Sequence, residues 1–210
     1  MDPNFWHSRW ENDQIGFHTK QANPLLVDFF AKLSLNKGSR VFVPLCGKTL
    51  DMHWLLNQGY HVIGAELSKK AIDQLFDELG IKPKISTIDK LDHYSAEGID
   101  IYVGDIFHLK GDMIGKIDAI YDRAALVALP LEMRKSYTNH LIKITNKAQQ
   151  LLICFEYDQT LMDGPPFSIS EDEVKMHYEK YYSLQQMTKK TVEGGFRSGL
   201  PTTENVWLLN

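Results

Sequence analysis

The sequence predicts an α/β protein in which a mostly parallel sheet is covered by helices on both faces. Five short apolar stretches, at 40–45, 61–65, 101–103, 117–121 and 150–157, alternate with segments whose apolar residues recur at helical spacing. Strands buried on both faces read as continuous apolar runs, as these do. The first four are followed within two residues by a small or charged group: Gly47, Glu66, Asp105 and Asp122-Arg123. Ligands of such sheets lie beyond the carboxyl ends of the strands, so these endings are the candidate site.

Along the chain, the first 22 residues carry Phe5, Trp6, Trp10 and Phe17 with His7 and His18, too aromatic for a disordered tail. Asn23-Pro24 is an N-cap followed by proline at the first helical position, and Leu25, Leu26, Phe29, Phe30 and Leu33 follow at helical spacing. Gly38 closes that unit before the first strand. Met52, Leu55 and Leu56 form the apolar face of the next helix, which Gly59 ends. After the second strand, Ser68 caps a helix that runs to Leu79 and closes at Gly80. Pro130 opens a helix to about residue 144. Ser170-Glu171-Asp172-Glu173 has capping-box spacing and starts another. Two further strands are expected near 182–187 and 205–209.

Bulk properties narrow the function classes. A chain of 210 residues fits one domain, 1–210, with 43% hydrophobic and 24% charged residues. Its formal net charge of −4 provides no global basic field for nucleic acid or anionic membrane, and neither is an expected partner. Cys46 and Cys154 are too few for a disulfide framework or a thiolate zinc site, and both sit in apolar surroundings as packing residues. The eight histidines show no metal-binding spacing on a helix. No apolar run approaches the roughly 20 residues of a membrane helix, and the N-terminus lacks a signal-peptide pattern. A cytoplasmic monomer is expected.

Gly47-Lys48-Thr49 after the first strand has the ending of a triphosphate loop. That loop needs another glycine five positions earlier, where Phe42 stands inside the strand. The dinucleotide fingerprint also fails, because Gly47 is its lone glycine. One part of that logic remains: Glu66 closes the second strand 19 residues after Gly47, placed to accept hydrogen bonds from ribose hydroxyls. The other reading of Glu66 is an exposed strand-end acid. A single-glycine turn with a ribose acid suits an adenosine without a pyrophosphate, and S-adenosyl-L-methionine is such a ligand. Asp105 closes the third strand where an adenine amino group would lie, with Ile106 or Phe107 against the ring. Its alternative role is an ordinary Asx turn.

The chain resembles the thiopurine S-methyltransferase family, and in its compactness the bacterial members. The motifs are Phe42-Val43-Pro44-Leu45-Cys46-Gly47-Lys48, Asp51-Met52-x-Trp54-Leu55, Gly64-Ala65-Glu66-Leu67-Ser68 and Asp122-Arg123-Ala124-Ala125-Leu126-Val127-Ala128. Phe17-His18 and Gly164-Pro165-Pro166-Phe167 join them, and the likeness runs from Trp6 to nearly the end. The resemblance implies a three-layer Rossmann-like class I methyltransferase fold, its mostly parallel sheet seven-stranded with the last strand antiparallel. It implies methyl transfer from S-adenosyl-L-methionine, leaving S-adenosyl-L-homocysteine, to aromatic and heterocyclic thiols such as thiopurines. Selenium and tellurium compounds are further substrates associated with bacterial relatives. By motif, Trp10, Leu45, Glu66 and Arg123 are cofactor residues, with Gly47, Asp105 and Ile106 in the same shell. Gly194 to Gly199, including Arg197, aligns with no family motif.

Methyl transfer from a sulfonium to a thiolate is an in-line displacement in which opposite charges disappear. An apolar site that holds donor and acceptor in line suffices, which accords with the lack of a triad or metal cluster. Arg123 is the expected catalytic residue, orienting an ionised thiol, with an ion pair to Asp122 or Glu156 as the structural alternative. Trp6, Trp10, Phe17 and His18 read as a lid over 1–22, or else as an extra helix pinned to the sheet. Phe17, His18 and Phe167 are the candidate substrate contacts. Two rivals share the fold: a small-anion (halide or thiol) methyltransferase and a non-catalytic S-adenosylmethionine-binding protein.

Overall fold

The computed structural model describes residues 3–196 and 199–210, so Arg197 lies outside the described residues. Seven α-helices and nine strands follow in the order α1 (Pro3–Glu11), α2 (Pro24–Phe29), β1 (Arg40–Pro44), α3 (Leu50–Asn57), β2 (His61–Glu66), α4 (Lys69–Leu79), β3 (Lys84–Ile88), β4 (Leu91–Ala96), β5 (Ile99–Val103), α5 (Gly111–Ile114), β6 (Ala119–Arg123), α6 (Leu131–Ile144), β7 (Gln149–Tyr157), α7 (Glu171–Tyr178), β8 (Leu184–Thr191) and β9 (Thr202–Leu209). The local signals behave as their chemistry requires. The Asn23 side chain accepts from Leu25 N, Ser68 caps α4 through Ala71 N, and Ser170 caps α7 through Glu173 N. Gly80 takes the left-handed conformation that closes α4. The apolar pattern at 24–33 folds as α2 followed by a 3-10 turn rather than one helix.

The sheet order is β3-β4-β5-β2-β1-β6-β7-β9-β8. Strands β5, β2, β1, β6 and β7 are parallel, and β9 runs antiparallel to β7 and to β8. The antiparallel last strand is thus present, but the sheet has nine strands instead of seven. The additional pair is the β3–β4 hairpin, which adds antiparallel to β5 at one edge. Its strands carry the polar sequences KISTI and LDHYSA, and β3 is almost wholly exposed. An edge ribbon that buries little has no apolar run to announce it.

Successive residues of β1 serve opposite layers, as a pleated strand demands. Val41 and Val43 pack with Leu26, Leu55 and Leu75 of α2, α3 and α4, while Phe42 packs with Ile114, Tyr137 and Val174 of α5, α6 and α7. Each fully buried side chain of this kind contributes about 1.5–3 kcal/mol relative to exposure. The strand order reverses between β1 and β6, which opens a crevice at their carboxyl ends. No helix among the described residues is long and apolar enough to cross a membrane.

Candidate active site

The turn after β1 is held by the acid at the end of β2. Gly47 N donates to Glu66 Oε2 and Ser68 N to Oε1, each at 2.8 Å. Glu66 is buried, and burial pushes its carboxyl above the usual range while the backbone N–H groups pull the other way. The exposed strand-end alternative for Glu66 is therefore not the one realised. Leu45 (φ 45°) and Gly47 (φ 52°) both take the left-handed region. A Cβ on Gly47 would stand 3.0 Å from the Trp10 ring, so glycine is required there twice over. The remaining two residues of Gly-Lys-Thr are committed elsewhere. Lys48 Nζ pairs with Glu78 at 2.7 Å, and Thr49 caps α3 through Asp51 N.

At the end of β5, Asp105 is exposed and its Oδ1 accepts from Phe107 N at 3.0 Å, which is the Asx turn. That bond uses one oxygen, and Asp105 still borders the cleft with buried Ile106 beside it. At the end of β6, Asp122 faces inward and shapes the following loop. It accepts from Tyr137 Oη at 2.7 Å and Leu126 N at 3.2 Å, while Ala124 takes φ 64°. Burial pushes the Asp122 carboxyl up to about 6. Its neighbour Arg123 points to the opposite face. Among the described residues Arg123 forms no ion pair; Asp122 is engaged as above, and Glu156 is paired with Lys189. Its Nη1 reaches the Phe17 carbonyl at 3.4 Å, and its buried Nε has no partner.

The aromatic N-terminus begins as helix α1, and its rings line the cleft. Trp10 of α1 is buried, and Phe17 stands edge-on to Trp6 and Trp10 at 6.0 and 5.6 Å. Lys70 of α4 fastens the end of α1 by donating to the Trp10 and Glu11 carbonyls at 2.9 and 3.2 Å. Partial burial, with Lys48 nearby, lowers the His18 pKa and favours its neutral form.

These segments enclose a cleft of about 890 Å³ at the β1/β6 switch point. Trp10, Phe17, His18, Leu45, Gly47, Glu66, Asp105, Ile106 and Arg123 all line it. Phe167 does not, contrary to expectation. Its ring lies under the Arg134 guanidinium, 5.5 Å away, and closes against Gly164, so Pro165 and Pro166 form the wall instead. Sequence reasoning missed Tyr121, Phe155 and Glu204, which also line the cleft. The one signal for Glu204 is an acid two residues before the apolar run Val206–Leu209 of the last strand.

The sequence profile described as thiopurine S-methyltransferase matches residues 1–204. The chain belongs to the thiopurine S-methyltransferase family. Thiopurine S-methyltransferase from Xanthobacter autotrophicus is 50% identical over 210 residues, covering 100% of this chain and 99% of the relative. The Teredinibacter turnerae thiopurine S-methyltransferase is 51% identical over 210 residues, covering 100% and 98%. The fold matches that of a Burkholderia thailandensis 1,6-didemethyltoxoflavin-N1-methyltransferase, with TM-score 0.66 at 14% identity over 99% of this chain and 87% of that one. The protein is thus an enzyme of the thiopurine S-methyltransferase type with the class I methyltransferase fold.

Proposed function

We propose that the chain acts as one domain that transfers a methyl group from S-adenosyl-L-methionine to the sulfur of aromatic and heterocyclic thiols. The observation that carries this reading is the pairing of two groups in one cleft: buried Glu66 bonded to the glycine turn, and Arg123 with an unpartnered Nε. The residues fit an adenosyl ligand. Each Glu66 oxygen engages one backbone N–H and keeps capacity for a second donor, as ribose hydroxyls supply. The Gly47 turn lets backbone approach closely, Asp105 suits an adenine amino group, and Ile106 supplies an apolar surface. When bound, the sulfonium supplies an electrophilic methyl group.

The chain's own residues do the rest. Trp10, Phe17 and neutral His18, on a segment fastened by Lys70, cover the cleft and exclude water. A dry site favours a reaction whose charges vanish. Phe17, Phe155, Pro165 and Pro166 give flat apolar walls for an aromatic ring, and the Arg123 guanidinium orients the anionic sulfur or an acidic ring substituent. Acidic heteroaromatic thiols arrive ionised. Selenium and tellurium anions meet the same requirements. The small-anion reading has no comparable support, because a halide needs no aromatic walls.

The test is kcat/KM for an acidic aromatic thiol beside the melting temperature. Arg123→Ala lowers kcat/KM by about 10²-fold, near 2.7 kcal/mol, without unfolding the protein. Arg123→Lys recovers part, since a point charge does not reproduce the planar fork. Near-normal activity in folded Arg123→Ala contradicts the assignment.

A further inference from the structure

The strand register brings a second charged residue to the same row as Arg123. Arg123 on β6 pairs with Ile153 on β7, and Phe155, two residues further on, pairs with Glu204 on β9. Cross-strand partners project to one face, and so do residues two apart along a strand. Arg123, Phe155 and Glu204 therefore share a face, and all three line the cleft. Behind them the row continues into Tyr121, Ile153 and Val206, packed in the α2–α4 layer.

Four carboxylates line the cleft among the described residues, and three are engaged by the fold. Glu66 holds two backbone N–H groups, Asp105 caps its own turn, and Asp51 accepts from Asn23 N at 2.7 Å and Tyr121 Oη at 2.9 Å. Glu204 differs. Among the described residues no backbone N–H is bonded to its carboxylate, and its hydrogen-bonding neighbour is the Asn23 side chain. Half-buried, its carboxyl is pushed above the usual range by desolvation, against the pull of Arg123, Asn23 and its β8 partner Lys190. Tyr121 is the other titratable group facing it, and that phenol is raised well above its ordinary range.

We propose that Glu204 is the general base for thiols that reach the cleft protonated, taking the S–H proton while Arg123 holds the thiolate. The inference rests on the S-methyl transfer reading above and extends it to weakly acidic thiols. The S–H bond breaks, its electron pair stays on sulfur, and the proton passes to a Glu204 carboxylate oxygen. The charge of Arg123 is then matched by the thiolate instead of the carboxylate, so the cleft keeps its net charge. After the thioether departs, the proton leaves to solvent. A thiol of pKa about 8.5 is only a few per cent ionised at pH 7, and a positioned base contributes about 10²–10⁴-fold in such a case. A thiol already ionised in solution gains nothing from the base.

The test needs no methyl transfer. An aromatic thiol whose protonated and ionised forms absorb differently, mostly protonated at the assay pH, is bound to the full chain with S-adenosylhomocysteine. A pH indicator counts protons released. The parent is expected to show the thiolate band with no net proton release, because the proton moves to Glu204. In Glu204→Gln the bound thiol stays protonated, or ionises with release of one proton to the medium. In turnover, Glu204→Gln loses about 10²-fold in kcat/KM for the protonated thiol and less than about threefold for a fully ionised one. Glu204→Asp recovers part. An unchanged band and proton count in Glu204→Gln, or equal losses for both thiols, overturns the proposal. If Glu204→Gln does not fold, full proton release by the parent overturns it and zero release upholds it. If the parent binds S-adenosylhomocysteine yet methylates no thiol, the underlying reading fails, whereas loss of the proton signature alone removes only Glu204.

Discussion

Glu66→Gln separates the two duties the site gives one carboxylate. The parent side chain offers an acceptor oxygen to each of two N–H groups, Gly47 and Ser68, both at 2.8 Å. Glutamine offers one oxygen, and its NH₂ must face the other N–H. That buried donor loses a hydrogen bond to a charged group, about 1.5–3 kcal/mol. Part of this is returned, because burial already disfavours the ionised carboxyl and the neutral amide escapes that cost. A net loss of about 1–2 kcal/mol remains, which lowers Tm by about 2–8 °C in a chain of this size. The swap also points a donor toward the ribose position, so S-adenosylhomocysteine affinity falls by a further ten- to hundredfold, about 1.5–3 kcal/mol. Calorimetric titration beside a thermal melt reads both. Acidification supplies a second check with a defined sign. Because the folded carboxyl titrates above its unfolded value, lowering the pH toward that raised value favours folding but removes the ribose acceptor. Parent affinity therefore falls on acidification, while that of Glu66→Gln stays flatter. A lowered Tm with unchanged affinity would confine Glu66 to shaping the turn.

Three further outcomes follow from the same geometry. Gly47→Ala forces a Cβ to 3.0 Å from Trp10 at a φ of 52°, costing about 1–2 kcal/mol in backbone strain alone; cofactor affinity should drop at least tenfold, and full affinity would mean that the turn does not border the ligand. Lys70→Ala frees the end of α1, and less than about 1 kcal/mol of stability should go with it while S-adenosylhomocysteine binding weakens severalfold; a large Tm loss instead would make α1 part of the core. Asp122 titrates near 6 when folded and near 3.8 when unfolded, so its favourable contribution is complete below 3.8 and gone above about 6. The stability of Asp122→Asn relative to the parent should thus rise by about 2.4 kcal/mol from pH 4 to pH 7 in denaturant titrations, and a pH-independent difference would contradict the assignment.

How much was legible follows from what each segment buries. Strands β1, β2, β5, β6 and β7 are covered on both faces, so their apolar runs and abrupt ends stood out, and with them Gly47, Glu66, Asp105 and Arg123. The caps at Asn23, Ser68 and Ser170 were legible because each is one local hydrogen bond. The β3–β4 hairpin was not, because its stability comes from pairing with β5 and its turn is Asp89-Lys90 with Asp89 at φ 56°, not an Asn-Gly pair. Phe167 was misplaced for a similar reason. Its position depends on Arg134, a buried arginine whose guanidinium also donates to the Leu129 carbonyl and Glu173. Glu204 reaches the cleft only through the register of β9 against β7, a pairing that no local pattern encodes.

The most direct measurement is to supply S-adenosylmethionine carrying a ¹³C-labelled methyl group, with an aromatic thiol and its hydroxyl and amine analogues, and to locate the label by NMR. The account predicts the label on sulfur of the thiol, in step with S-adenosylhomocysteine formed, and none on the analogues. Label on oxygen or nitrogen, or tight S-adenosylhomocysteine binding with no labelled thioether, would contradict it.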